Sequence, residues 1–531
     1  MKKIIILFFV TVALSLSFGS CSKDAIQTGV LSNDRKQEIA AEDPEKVYSA
    51  DMAGMYTHVQ QYVYSNVSHC YFGQKSFDFL TSLMGNDMVL PGAFAMSLYH
   101  YTLDYRGQNN TPTYNRWYEY YTMIDYCNTM LKSISADETN PTSRLFRAQA
   151  LGLRGYAYYQ LTLLYQYCYY VGVSDNKWGG GTSYADAPCV PIVTDSITGH
   201  QPRSTVAQVH DQIIKDLKGC YDLYVEVNGS PKTSSPADFD GCVAATYLAR
   251  VYMSMHQWDD AIKYSQVVID NFDVLKGEDE ILQGFSDINL PDVVWGCDIT
   301  TDNTGIYMSW FSQMDAYGDG YGGIGVWRVG FKPFVDRIGD NDIRLWWFEC
   351  DRTTDGMKRD WENLPESEQK ADADYQSYKF IGAGRTNIQS GITSGWEQGD
   401  YIYLRSEEAY LTKAEALAQN NNLTDAAIEL NSFMQTRDNT YNYTVTDKAS
   451  LIEEINFQKR VEFWGEGMEY IDNRRLNIPV DRTDATWGTE NNNHYAAGKL
   501  KAEQEDLRFL YQIPEAEIEN NRELTYDDQN P

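Results

Sequence analysis

A chain of 531 residues with 43% hydrophobic content is long enough for one large or several average domains, which excludes disorder over its whole length. A formal charge of −31 argues against nucleic acid as a partner and would repel anionic lipid headgroups, so any membrane attachment must come through a lipid. The seven histidines form no HExxH or comparable cluster, and the nine cysteines show no zinc or redox spacing, so neither a metal nor a cofactor is expected.

Taken from its start, the chain opens with Lys2 and Lys3, the apolar run Ile4 to Leu14, and small or polar residues ending at Gly19-Ser20-Cys21. This pattern predicts an export signal over 1–20, with Cys21 lipidated after cleavage. The apolar run is too short to span a bilayer comfortably, and no later stretch approaches eighteen consecutive apolar residues. Residues 21–44 are polar and charged and predict a flexible tether. Helical patterning then begins near Val47 and is clear over Tyr114 to Ile134. Asn140-Pro141 predicts the start of the next helix, Thr205 and Gln208 a capping box before Val206, and Ser450 and Glu453 another before Ile452.

Between Cys242 and Ile269 two helical periods meet across the short turn Met255-His256-Gln257. Ala245, Ala249 and Ala261 allow close approach, which predicts a helical hairpin of tetratricopeptide type. Arg405 to Arg437 supplies a second, with its break at Asn420 to Thr424. One such hairpin cannot bury its own face, and two set so far apart argue for a helical scaffold carrying long insertions rather than a plain solenoid. The expected architecture is therefore mainly α, with hairpins as a platform, a loop-rich insertion at about 278–400, little β structure, and a single domain over 45–531.

Several stretches together are similar to the SusD/RagB family of outer-membrane nutrient-binding lipoproteins. Trp117 through Asn128, Arg144 through Tyr165, Val190-Pro191-Ile192, Pro202 through Thr205 leading to Leu217, Leu404 through Ala416, and Arg460 through Arg475 follow the family's order, with Ile513-Pro514 and Asn520 to Asn530 resembling its tail. The resemblance implies four tetratricopeptide-like hairpins, loops that face ligand, a TonB-dependent transporter as partner, and residence at the cell surface on the outer membrane, held by a lipid.

The segment from Asn303 to Phe331 holds seven glycines and seven aromatic residues without helical or strand period, and reads as loop. Exposed aromatics in a loop suit the C–H faces of sugar rings, so Trp310, Tyr317, Tyr321 and Trp327 are the expected ligand contacts, with Asp315, Asp319 and Arg328 placed to bond hydroxyls. Gly318, Gly320 and Gly323 satisfy a dinucleotide fingerprint literally, but loop composition on both sides excludes it. Glu462, Glu466 and Glu469 raise a glycosidase reading, yet Arg460, Arg474 and Arg475 beside them predict ion pairs instead. The reading is a non-enzymatic cell-surface protein that binds oligosaccharide and passes it to a transporter. A surface glycoside hydrolase and a peptide-binding lipoprotein of the same uptake type are the alternatives.

Overall fold

The computed structural model describes residues 33–61, 71–93, 95–316, 318, 320–348, 374–382 and 396–531. The chain divides into two units, residues 1–51 and 52–531. In the first, the described residues are helical but for Asp43: α1 is Asn33–Glu42, and α2 is Pro44–Gln60, whose first turns lie in this unit. Part of the expected tether is thus helix, because Lys, Gln, Glu and Ala are good helix formers and Arg35 pairs with Glu38 one turn on at 2.7 Å.

The second unit is mainly α. Its principal helices are α3 (Gly73–Ser82), α4 (Thr111–Ser133), α5 (Pro141–Tyr165), α6 (Val206–Asn228), α7 (Gly241–Ser254), α8 (Trp258–Ile269), α9 (Trp310–Met314), α10 (Glu407–Gln419), α11 (Leu423–Met434), α12 (Lys448–Glu462) and α13 (Met468–Leu476). Helix starts follow local chemistry. Asn140 accepts from the Thr142 and Ser143 amides ahead of Pro141, and Thr205 with Gln208 closes the expected capping box. At α12 the expectation fails: Asp447, not Ser450, is the cap, and it accepts the Ser450 amide at 2.8 Å.

Helices α4 to α8 pack in succession, each on the next, and α10 and α11 form the late hairpin. Close approach is built in at Gly152, where a Cβ would lie 2.3 Å from the Phe239 ring and 3.0 Å from Cys220 Sγ. Although α8 and α10 are far apart in sequence, they pack directly on one another, so the hairpin array is continuous in space. The intervening chain leaves and returns through an antiparallel pair, β2 (Val293–Cys297) with β4 (Tyr401–Arg405), running from Val293 opposite Arg405 to Cys297 opposite Tyr401 with a bulge at Trp295. A second short pair joins β1 (Met88–Val89) to β3 (Val329–Gly330) and ties the insertion to the region after α3.

Where the insertion meets the platform, the interior is ionic. Arg405 Nη1 lies 3.1 Å from Glu462 and its Nη2 2.9 Å from Glu466; Arg437 bonds Glu462 and Glu407; Arg344 bonds Asp342 and Glu462; Lys379 bonds Glu466 at 2.6 Å. All these side chains are buried. Although burial opposes ionisation, Arg437, Arg405 and Arg344 outweigh it at Glu462 and hold its carboxyl well below the usual range. Asp292 goes the other way. Burial and the adjacent Glu407 raise it, Arg405 comes only within 3.7 Å, and neither of its oxygens accepts a hydrogen bond. Asp292 therefore stands opposite to Glu462 in this cluster: its ionised form is disfavoured, where that of Glu462 is held by three arginines.

Two substitutions separate these roles. Glu462→Gln strands buried guanidinium charge and is expected to cost roughly 3–5 kcal/mol in urea unfolding. Asp292→Asn removes a carboxyl whose ionised form burial and Glu407 already disfavour, and is expected to cost less than about 1 kcal/mol in the same assay.

Candidate functional site

The segment 303–331 lies within the insertion and is held at many points. Its start is tied down by Gln61 Nε2, which donates to the Asn303 carbonyl at 2.7 Å, and by Thr304 Oγ1, which donates to the Glu397 carbonyl at 2.9 Å. Ser309 caps the short α9 by accepting the Ser312 amide. Glycine then lets the returning chain close on that helix. A Cβ at Gly320 would stand 2.5 Å from Ser312 Cα, while the Gly322 amide donates to the Ser312 carbonyl at 2.8 Å.

This folding-back sorts the aromatic residues. Trp310 is only 1% exposed: its ring meets Phe380 edge-on at 4.9 Å, and Lys75 Nζ sits 4.3 Å from its centroid. Lys75 is itself held by the Ile402 carbonyl at 2.6 Å. The expectation that Trp310 faces solvent is thus corrected, because loop composition could not reveal Phe380 and Lys75 arriving from distant parts of the chain. Phe311 and Phe331 are buried too, and Trp327 is half-buried against the same core cluster. Tyr321 is half-buried, and Tyr307, one of the seven aromatics but not among the four singled out, is 46% exposed. Their rings meet edge-on with centroids 6.3 Å apart. Tyr317, Asp319 and Cys21 lie outside the described residues.

The polar residues of the segment also turn inward. Asp315 is buried and accepts the Gly318 amide at 3.1 Å and the Gly382 amide at 3.0 Å. Arg328 is buried, donates to Gln313 Oε1 at 2.7 Å and to the Val326 carbonyl, and lies over the Phe79 ring. Both were expected to meet hydroxyls, and both instead brace the loop. Beside the Tyr307–Tyr321 pair, Ile306 is 52% exposed and holds a left-handed backbone, φ +50°, which is uncommon for a β-branched side chain. Strain of this kind gathers where a loop tip is held for a purpose. Among the described residues no cluster of histidine, cysteine and carboxylate groups is placed to hold a metal.

Sequence reading passed over Trp487, which is 37% exposed in a polar stretch and meets Phe331 edge-on at 5.1 Å, and the stacked pair Tyr99 and Tyr105. The acidic trio is buried, as ion pairing predicts, but with other partners. Glu462 and Glu466 serve the network above, Glu469 accepts the Asn86 and Asp87 amides, and Arg460 pairs with Asp87. Arg475 pairs with Glu415 and Asp472, whereas Arg474 bonds the Tyr470 hydroxyl and backbone carbonyls.

The fold is shared with solved helical proteins. A SusD-like carbohydrate-binding protein from Bacteroides vulgatus superposes with a TM-score of 0.69 at 22% identity, covering 91% of this chain and 98% of that one. A second Bacteroides vulgatus protein, described as a sugar-binding protein, superposes with a TM-score of 0.70 at 20% identity, covering 92% and 98%. Surface glycan-binding protein A from Bacteroides thetaiotaomicron, solved with laminarihexaose, gives 0.61 at 15% identity, covering 92% and 99%. No curated protein matches the chain. Residues 34–253 match the family model described as starch-binding and associating with the outer membrane, and residues 349–531 match that of the SusD family. The chain belongs to the SusD/RagB family.

Because Trp310 is core and not surface, Trp310→Ala is expected to lower stability by roughly 3–5 kcal/mol, read in a denaturant titration.

Proposed function

We propose that this protein captures oligosaccharides at the cell surface and passes them, unaltered, to a TonB-dependent outer-membrane transporter, while a lipid on Cys21 holds it to the membrane. The observation that carries the reading is the Tyr307–Tyr321 pair, one ring exposed and the other half-buried, presented by a braced loop on a chain of this family. Tyrosine offers a flat apolar ring and a hydroxyl, which match the C–H face and the hydroxyls of a sugar. Half-buried Trp327 belongs to the same segment and is the next candidate contact. A solved structural neighbour that holds laminarihexaose supports the glycan class.

Binding without catalysis is favoured by the state of the carboxylates. A glycosidase needs two acids that flank a bond in an open site, whereas Glu462, Glu466 and Glu469 are committed to buried partners. Incubation with oligosaccharides is expected to release no new reducing ends, and release that persists through repurification would overturn the non-enzymatic reading.

Replacing Tyr307 and Tyr321 together by alanine removes two ring contacts of roughly 0.5–1.5 kcal/mol each. Calorimetric affinity for the bound oligosaccharide is expected to fall at least about fivefold. The melting temperature should hardly move, since Tyr307 is exposed. Unchanged affinity in the folded double variant would remove this pair from the site. Separately, Cys21→Ala is expected to shift the protein from the washed membrane fraction to the soluble one, and its retention there without a transporter would refute the lipid anchor.

A further inference from the structure

The turn between α7 and α8 repeats the turn between α10 and α11. In each, an amide reaches back to a helix carbonyl, Gln257 to Tyr252 at 2.9 Å and Asn422 to Leu417 at 2.8 Å. In each, the preceding residue is left-handed, His256 at φ +56° and Asn421 at φ +62°. Asparagine tolerates that backbone well, and in the late hairpin it simply makes the turn. At His256 the same backbone carries an imidazole ring that is stacked on both faces. Tyr170 lies at 4.3 Å and 14° on one side, and Trp258 at 4.8 Å and 22° on the other. Burial and the nearby Arg475 push His256 down to about 4, so the column is uncharged near neutral pH.

The contact of Tyr170 with His256 is enough to pin the strand Tyr170–Gly172 to the hairpin. Trp258 does more than that task needs. It is the outer member, only half-buried, and among the described residues its ring meets no aromatic other than His256 and its indole N–H has no acceptor. The next residue in the chain, Asp259, is exposed and accepts from exposed Asn420, whose Nδ2 lies 2.7 Å from Asp259 Oδ1. A backed indole face, its N–H and, one residue along, an amide–carboxylate pair are the kinds of group that a pyranose ring engages, the face through C–H contacts and the rest through hydroxyls.

We propose that Trp258 is a second saccharide-stacking site, set on the hairpin turns of the platform and separate from the 303–331 loop. It takes one pyranose unit of an oligosaccharide, with the Asp259–Asn420 pair and the indole N–H bonding hydroxyls. The proposal rests on the glycan-binding reading above, and its test is arranged so that the two can fail apart.

Full-length mature protein labelled with 5-fluorotryptophan is titrated with gluco-, manno-, galacto- and xylo-hexaoses, and the Trp258 fluorine resonance is assigned from Trp258→Phe. At least one hexaose is expected to move that resonance saturably, with the shift preserved in the Tyr307→Ala/Tyr321→Ala protein. Asn420→Ala should weaken the Trp258 titration at least threefold while the melting temperature stays put. A stationary Trp258 resonance alongside intact binding at the tyrosine pair would overturn the second site and leave the first standing. A Trp258 shift that vanishes in the double tyrosine variant would also overturn it, since the response would then belong to the loop. Silence of every resonance and of calorimetry towards all four sugars would overturn both.

Discussion

Glu462 is the point on which the second unit turns. Three arginines from three parts of the chain meet its carboxylate: Arg344 from the insertion, Arg405 from the end of β4, and Arg437 just beyond α11. Such a cluster is costly to desolvate, and an apolar substitute of the same shape could be as stable. What ion pairs supply here is direction. A guanidinium that must meet two carboxylates accepts few arrangements, so the insertion is seated on the platform in one register, and every loop beyond it inherits that placement.

The aromatic richness divides along the same line. Most tyrosines and tryptophans are structural, and Tyr156 shows how: it is buried, bonds Gln74 Oε1, and meets Tyr120, Tyr247 and Trp295 edge-on. Among the described residues the exposed rings stand both on helices, as Tyr118 and Tyr126 on α4, and beside unusual backbone, as Tyr307 next to Ile306.

What the sequence made legible followed from local rules. The hairpins at 242–269 and 405–437, the cap at Asn140 and the box at Thr205 depend on residues within one or two turns of each other. Ser450 misled because Asp447, three residues earlier, offers the stronger acceptor in the same spacing. For Glu462 the near arginines on the next helix looked like partners, but the chosen ones come from positions 344, 405 and 437, which no periodicity connects. Trp310 misled for a related reason. Glycine in sequence signals open loop, whereas Gly320 serves to bring backbone against Ser312, compacting the segment until its first tryptophan is sealed. Tyr307 stays largely exposed on that loop, and Tyr321 is half-buried beside it.

The pairing of β2 with β4 has an evolutionary consequence. Since the chain departs and comes back at adjoining strands, the helices on either side, α8 and α10, would pack identically whatever length lay between. Doubling such an excursion costs only about 0.6 kcal/mol in closure entropy. The insertion can therefore lengthen, shorten and diversify almost without penalty, so long as it still delivers its cations to one carboxylate.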